Sequence, residues 1–251
     1  MAPAGFGARV EGLNAVKAAA VAGRVSELWV ETSRLRKCEE IIRLVRGGGG
    51  SVYDIDSVRD HAETESPQGV VANCRPLPIA TLEQLAGADR PALIVLDHIQ
   101  DPHNLGAIAR STLAAGMTGL VSSTRRAAPF SATAFKAAAG ALERLPVALV
   151  NSIPDALSRL NHMGVWSVGL DTGGDTDLFG LALLTEPVAI VIGEEGSGLS
   201  QLVRQRLEVT VHIPLAPEME SLNASVAAAL AAFEVLRVRA STPPSTRCSG
   251  R

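Results

Sequence analysis

Apolar positions fall into two rhythms along this chain. Past residue 90, six short strand-like runs stand at 92–96, 118–122, 146–150, 165–170, 187–192 and 209–213, and those at 92–96 and 187–192 are almost wholly apolar. An unbroken run of that length suits a strand covered on both faces. Between the runs lie stretches with helical spacing, at 104–115, 131–142, 154–161, 198–205 and a long last one at 222–239. This alternation predicts right-handed crossovers and a mostly parallel, doubly covered sheet, an α/β fold. The first part of the chain repeats the alternation on a smaller scale. Val10, Leu13, Val16 and Ala20 predict a helix over 10–21, and an amphipathic helix over 39–45 stops at the four glycines 47–50. Strands are predicted at 27–31, 51–55 and 69–74. The domains expected are a small α/β unit at 9–78, a linker with a short helical pattern at 79–90, and a larger unit at 91–240. Residues 1–8 read as a frayed end, and the Pro/Ser/Thr-rich tail 241–251 as disordered.

Composition narrows the class. A hydrophobic share of 47% with 20% charged residues is that of a well-cored globular protein, and 3% aromatic residues leave Ala, Val, Leu and Ile to build the core. No apolar run reaches the roughly 18 residues of a membrane helix. The start lacks a charged segment followed by an apolar one, so a cytoplasmic protein without a membrane partner is expected. Cys38, Cys74 and Cys248 are far apart and predict free thiols rather than a disulfide or zinc site. A net charge of −3 does not mark a nucleic-acid binder. Local charge says more: Arg34, Arg36, Lys37, Arg43 and Arg46 form one basic cluster, and Arg125, Arg126, Lys136 and Arg144 another. Of the 23 basic residues 20 are Arg, whose planar fork suits phosphate, although solvated helices and loops carry similar charges.

Ligands of open α/β sheets bind at the carboxyl ends of strands. Three of the predicted ends carry convergent polar residues. The first is DPHNLGAIAR, residues 101–110. With a helix starting near Asn104, that side chain faces the loop and can cap the helix, and Arg110 emerges about one and two-thirds turns later. Gly106 permits close backbone approach, and Arg110 offers a fork to phosphate or carboxylate. The second is GEEGSG, residues 193–198. It lacks the Lys-Ser/Thr of a P-loop and is not GxGxxG, yet its glycines can bring backbone against a nucleoside, with Glu195 as an orienting carboxylate. The third is SLNAS, residues 221–225, where Ser221 and Asn223 suit a helix cap. Taken singly, each reads equally well as a cap, a tight turn or a solvated charge. His98 and His103 match no zinc spacing, so no metal is expected, and no G-x-S-x-G anchors a hydrolase nucleophile.

Together and in this order, N-x-G-x-x-x-R, G-x-E-G-x-G and S-L-N-x-S resemble the SpoU (TrmH-type) RNA 2′-O-ribose methyltransferases. The resemblance runs from about residue 10 to 239. Residues 11–16 (EGLNAV) and 67–71 (PQGVV) are similar to the family's substrate-binding domain, which has a ribosomal-protein-like α/β fold; Pro67 replaces its usual His. The resemblance implies a SPOUT catalytic domain with a C-terminal trefoil knot, S-adenosyl-L-methionine as cofactor, and a homodimer. It is closest to members that methylate a guanosine ribose 2′-hydroxyl in 23S ribosomal RNA, which makes ribosomal RNA the expected partner. It implies Asn104, Arg110, Glu195, Ser221 and Asn223 as the catalytic set, and Gly193, Ile213 and Leu222 as holders of the donor, mainly through backbone. Arg above a pKa of about 12 is a poor base, so Arg110 reads more easily as holding phosphate. Alternatives within the class are transfer RNA or an antibiotic-resistance site in ribosomal RNA. Outside it stand a non-catalytic RNA-binding or ribosome-assembly factor and a small-molecule enzyme of the nucleotide-binding type.

Overall fold

The computed structural model describes residues 5–241. Its larger sheet has seven strands: β5 (Ala92–Leu96), β6 (Gly119–Ser123), β7 (Val147–Val150), β8 (Trp166–Leu170), β9 (Thr176–Asp177), β10 (Val188–Ile192) and β11 (Val209–His212). They run in the order β7-β6-β5-β10-β8-β11-β9, and every pair is parallel. All five residues of β5 and all five of β10 are buried. Their side chains alternate between two cores. Leu93, Val95, Ala189 and Val191 feed the cluster beneath α3 (Leu82–Ala86), α6 (Ile153–His162) and α7 (Gln201–Arg204). Ala92, Ile94, Leu96, Val188, Ile190 and Ile192 feed the cluster beneath α4 (Pro102–Ala114), α5 (Ala132–Ala138) and α8 (Ala224–Ser241). Period two with an apolar residue at every step is the reason the runs look continuous in sequence. Burying each such Val, Ile or Leu side chain contributes roughly 1.5–3 kcal/mol.

The smaller sheet takes the order β1-β4-β2-β3, from β1 (Arg9–Glu11), β4 (Val70–Cys74), β2 (Val25–Glu31) and β3 (Ser51–Ile55). β4 is antiparallel to both neighbours, and β2 and β3 are parallel. α1 (Leu13–Val21) and α2 (Leu35–Gly47) pack on it and on each other.

Local expectations fail in instructive places. Val10 has helical spacing to Leu13 and Val16, yet it pairs with Ala72 in β1; Gly12, at φ 85°, separates strand from helix. α2 is longer than predicted because Cys38 serves as a buried position beside Ile41 and Val45. The helix expected over 131–142 stops at Ala138, where Ala139 and Gly140 turn left-handed, and Ala141–Glu143 form a 3-10 turn. α7 is a single turn rather than 198–205, since Gly198 lies at φ 65°.

The start of the chain is not frayed from residue 5 onward. Phe6 and Leu77 exchange backbone hydrogen bonds at 3.2 and 2.8 Å, and the Phe6 ring lies 4.8 Å from Phe130 and 6.0 Å from Phe135. These rings stitch the small sheet to α5, and Arg24 adds a buried fork to Glu143, Nε to Oε2 at 2.7 Å and Nη2 to Oε1 at 2.5 Å. The stretch 79–90 lies on the large sheet. Ala80 donates to the Val147 carbonyl at 2.8 Å, and a Thr81–Gln84 capping box starts α3, which buries Leu82 and Leu85. Cys38 and Cys74 are free and buried; burial pushes both thiols up, Cys74 to about 12. The tail 242–251, with Cys248, and residues 1–4 lie outside the described residues. Among the described residues no helix is long and apolar enough to cross a membrane.

Candidate active site at the strand ends

β5 and β10 are neighbours and parallel, so their carboxyl ends open side by side. The pairing runs one step past the strands, where Asp97 donates its N–H to the Ile192 carbonyl at 2.9 Å. Asp97 is 1% exposed. Its Oδ2 accepts from the Ser200 N–H at 2.7 Å and its Oδ1 lies 2.9 Å from His98 Nδ1. Gln100 Nε2 then reaches Glu194 Oε1 at 2.6 Å. The loop after β5 is thus tied to the loop after β10 at successive points.

α4 begins earlier than expected. Asp101, and not Asn104, is its cap: Asp101 Oδ1 accepts from His103 N–H at 2.9 Å, and Pro102 takes the first helical position, which needs no N–H donor. Asn104 is thereby released from capping. Its Nδ2 donates to Glu195 Oε1 at 3.0 Å. The third segment supplies a cap that does double duty. Asn223 Oδ1 accepts from Ser225 N–H at 2.9 Å and Val226 N–H at 3.4 Å, which starts α8. Asn223 Nδ2 points the other way, to Asn104 Oδ1 at 3.2 Å and to Glu195 Oε1. The Ala224 N–H reaches the same Glu195 oxygen at 3.2 Å. One carboxylate oxygen at a helix N-terminus, where negative charge is favoured, joins three segments far apart in the chain.

The loop carrying Glu195 is closed on itself, with Glu194 and Gly198 exchanging backbone bonds at 3.2 and 2.9 Å. Gly193 makes that closure possible: a Cβ there would lie 2.3 Å from the Gly198 carbonyl carbon. Beside the Glu195 node opens a cleft of about 390 Å³, walled by the ends of β8 and β10, the chain after β11 and the start of α8. Gly193, Ile213, Ser221 and Leu222 line it, with Leu170 and Leu215 adding apolar surface. Asp171, Glu194 and Glu220 make its charged side mostly acidic, and Arg204 is held by Asp171.

The structure therefore gathers Asn104, Glu195 and Asn223 into one node and Gly193, Ile213, Ser221 and Leu222 around one cleft. Ser221 lines the cleft and caps nothing among the described residues. Arg110 stands apart from the cleft. It is exposed on α4, one turn past Gly106, and its side chain has no hydrogen bond or ion pair among the described residues. Gly106 seats α4 on α5, since a Cβ there would lie 2.4 Å from the Ala134 carbonyl oxygen. Sequence reasoning missed Asp171, Arg204 and Glu220. Asp171 directly follows a predicted strand, so the strand-end rule applied to every strand finds it; the Asp171–Arg204 pairing is tertiary and leaves no local mark. Among the described residues no group of three or more His, Cys, Asp or Glu is placed to hold a metal.

The profile of the SpoU rRNA Methylase family matches residues 91–233, and that of the RNA 2′-O ribose methyltransferase substrate binding domain matches residues 9–80. The chain is 34% identical over 223 residues to the putative TrmH family tRNA/rRNA methyltransferase YacO of Bacillus subtilis, covering 86% of this chain and 89% of that protein. It is 34% identical over 225 residues to the 23S rRNA (guanosine-2′-O-)-methyltransferase RlmB of Ralstonia nicotianae, covering 87% and 90%. An uncharacterized tRNA/rRNA methyltransferase of Synechocystis is 39% identical over 232 residues, which are 88% of this chain; the match spans only 60% of that longer protein. Among solved structures, the SpoU methyltransferase AviRb from Streptomyces viridochromogenes in complex with AdoMet superposes with a TM-score of 0.79 at 27% identity, covering 93% of this chain and 91% of that one.

Proposed function

This chain belongs to the SpoU rRNA methylase family and is an S-adenosylmethionine-dependent RNA methyltransferase, and from that premise we propose that it methylates the ribose 2′-hydroxyl of a guanosine in 23S ribosomal RNA. The observation that carries this reading is the Glu195 node, which holds Asn104 and Asn223 against the rim of the donor cleft. The 34% identity to a 23S guanosine methyltransferase over 90% of its length favours ribosomal over transfer RNA. In this reading residues 9–78 grip the RNA and 91–240 carry the chemistry.

The cleft suits the donor. Its volume lies within the roughly 300–1,000 Å³ of small-molecule sites. Ile213 and Leu222 offer apolar walls and backbone groups to an adenine, and Gly193 leaves bare backbone at the turn. Asp171, Glu194 and Glu220 suit a cationic ligand. Bound there, S-adenosylmethionine supplies a methyl group already activated on a sulfonium. The protein's own residues have the tasks of alignment and charge. Glu195 fixes the Asn104 and Asn223 amides by accepting from both, so neither pays for ordering when RNA arrives. Arg110, unpaired on its helix, holds a phosphate of the acceptor nucleotide, and its charge makes the nearby hydroxyl easier to deprotonate.

Val226, Leu230, Phe233 and Leu236 form an outward apolar stripe on α8, from 37% to 47% exposed. A second copy of the chain covering that stripe gives the homodimer. The trefoil knot is what the family resemblance implies, and the strand order is compatible with it: β10 enters between β5 and β8, β11 lies beyond β8, and α8 returns to pack on α4, β5 and β10. A ribosomal RNA acceptor puts the reaction in the cytoplasm.

The test uses purified protein, tritiated donor, and 23S, 16S and transfer RNA. Label in 23S RNA, mapped as ribose methylation of one guanosine, is the expected result. Label in transfer RNA alone overturns the choice of acceptor. RNA binding without label in any RNA points to an assembly factor that kept the fold.

A further inference from the structure

The cleft lies on the β8 and β11 side of the Glu195 node, and the opposite side of the same edge carries charge with no assigned role. β6 is the parallel neighbour of β5, so the loop that follows it, residues 124–131, opens beside the loop leading to Asn104. That loop is pinned at its start and at its middle. Thr124 donates its N–H to the Val150 carbonyl at 2.8 Å, and the Arg125 N–H reaches Ser123 Oγ at 3.1 Å. The buried Ala128 donates to the carbonyl of buried Ile99 at 2.7 Å, which ties the loop directly to the segment before α4.

Between these anchors stand Arg125 and Arg126. Both are exposed, and neither side chain has a hydrogen bond or ion pair among the described residues. Half of the other described arginines are engaged: Arg24, Arg159, Arg204 and Arg237 hold carboxylates, and Arg9, Arg75, Arg90 and Arg239 hold carbonyls. Several carboxylates of the same edge are engaged too: Asp97 with His98 and Ser200, Asp101 in its cap, Glu194 with Gln100 and Ser197. Arg126 has φ 52°, a left-handed conformation that glycine adopts without strain and arginine does not. The remaining members of the basic cluster read from sequence go elsewhere. Lys136 binds the Ser66 carbonyl, and Arg144 precedes β7 at the opposite end of the sheet.

We propose that Arg125 and Arg126 form a phosphate-binding rim that holds the RNA strand flanking the acceptor nucleotide, on the side of the node away from the donor. This rests on the RNA methyltransferase reading above. The rim puts two unpaired guanidiniums on that flank of the node, and Arg110, also unpaired, stands on α4, which follows the neighbouring loop. A chain with net charge −3 thereby presents positive charge where an RNA backbone has to pass. The rim touches backbone rather than bases, so it serves affinity and register for any sequence.

The test compares wild type with Arg125→Ala/Arg126→Gly. Glycine at 126 relieves the backbone, so loss of function there is not loss of fold. The readouts are methyl transfer to 23S RNA and the salt dependence of RNA binding. KM for RNA is expected to rise about 10-fold, and the slope of log K against log salt to shrink by roughly 0.7 for each phosphate no longer neutralised. Donor affinity by calorimetry is expected to match wild type, Arg125→Lys/Arg126→Lys to retain the slope, and Arg144→Ala to behave as wild type. A double variant with wild-type KM and salt slope overturns the rim. A wild-type protein that methylates no RNA overturns the functional reading instead, so the two failures are distinct.

Discussion

In the seven-stranded sheet both faces are covered and every strand is parallel, so polar side chains with work to do are left at the strand ends. In the four-stranded sheet two of the three pairings are antiparallel, and the face away from α1 and α2 is polar and aromatic. There Trp29 stacks between His61 at 4.5 Å and Tyr53 at 5.6 Å, and Asn73 donates to Glu27 at 2.7 Å. A doubly covered parallel sheet gathers chemistry at one edge, where a few loop residues converge. A half-open mixed sheet spreads its polar residues along every strand at period two, and no few of them form a constellation. The difference explains why three short segments announce a site in one unit and none does so in the other.

The comparison breaks most visibly at the junction. Arg24→Ala strands Glu143, whose side chain is 2% exposed, without its partner. Losing one member of a buried pair costs about 3–5 kcal/mol, and urea unfolding is expected to show it as a lower midpoint. A change under about 1 kcal/mol would mean that the two sheets are held together by their aromatic contacts instead. Next comes the edge itself. Arg110→Ala is expected to slow methyl transfer by about 100-fold or more, as misplacement of a reacting group does, with donor affinity within about twofold of wild type. Equal loss of both would put Arg110 in the donor cleft. Asn223→Ala removes the α8 cap, worth about 1 kcal/mol, and also frees Glu195 and Asn104. Transfer is therefore expected to fall further than that loss of stability accounts for; thermal melting and single-turnover rates separate the two. The smallest effect is on Cys74 in the small sheet. Burial keeps its thiol protonated up to about 12, so at pH 8.5 iodoacetamide is expected to leave it unmodified in the folded protein and to alkylate it in urea. Rapid alkylation without urea would show the small unit opening independently of the large one.

Much of the large unit was legible in the sequence because its signals are local. The runs at 92–96 and 187–192 coincide with β5 and β10 to within a residue, since a strand buried on both faces tolerates no polar interruption. Gly193, Glu195 and Asn223 are types that strand-end turns and helix starts demand, and they stand where the strands stop. The small unit was harder to read. Val10 satisfies helical spacing and strand burial equally, and only the turn at Gly12 separates the two. Within the large unit, the break of α5 at Ala139 and Gly140 was likewise hidden in an alanine-rich run that any helix would accept.

By itself, then, the sequence determined which segments become strands of a doubly covered sheet, and which residues stand at their ends with polar groups to offer. Strand order decided the rest. It set Asn104 beside a glutamate 91 residues away, joined Arg24 to Glu143 across 119, and left Arg125 and Arg126 unpaired on the flank opposite the cleft. Hydrophobic periodicity acts over a few residues, whereas partners so distant meet only when the whole sheet has assembled, so no local pattern could carry them.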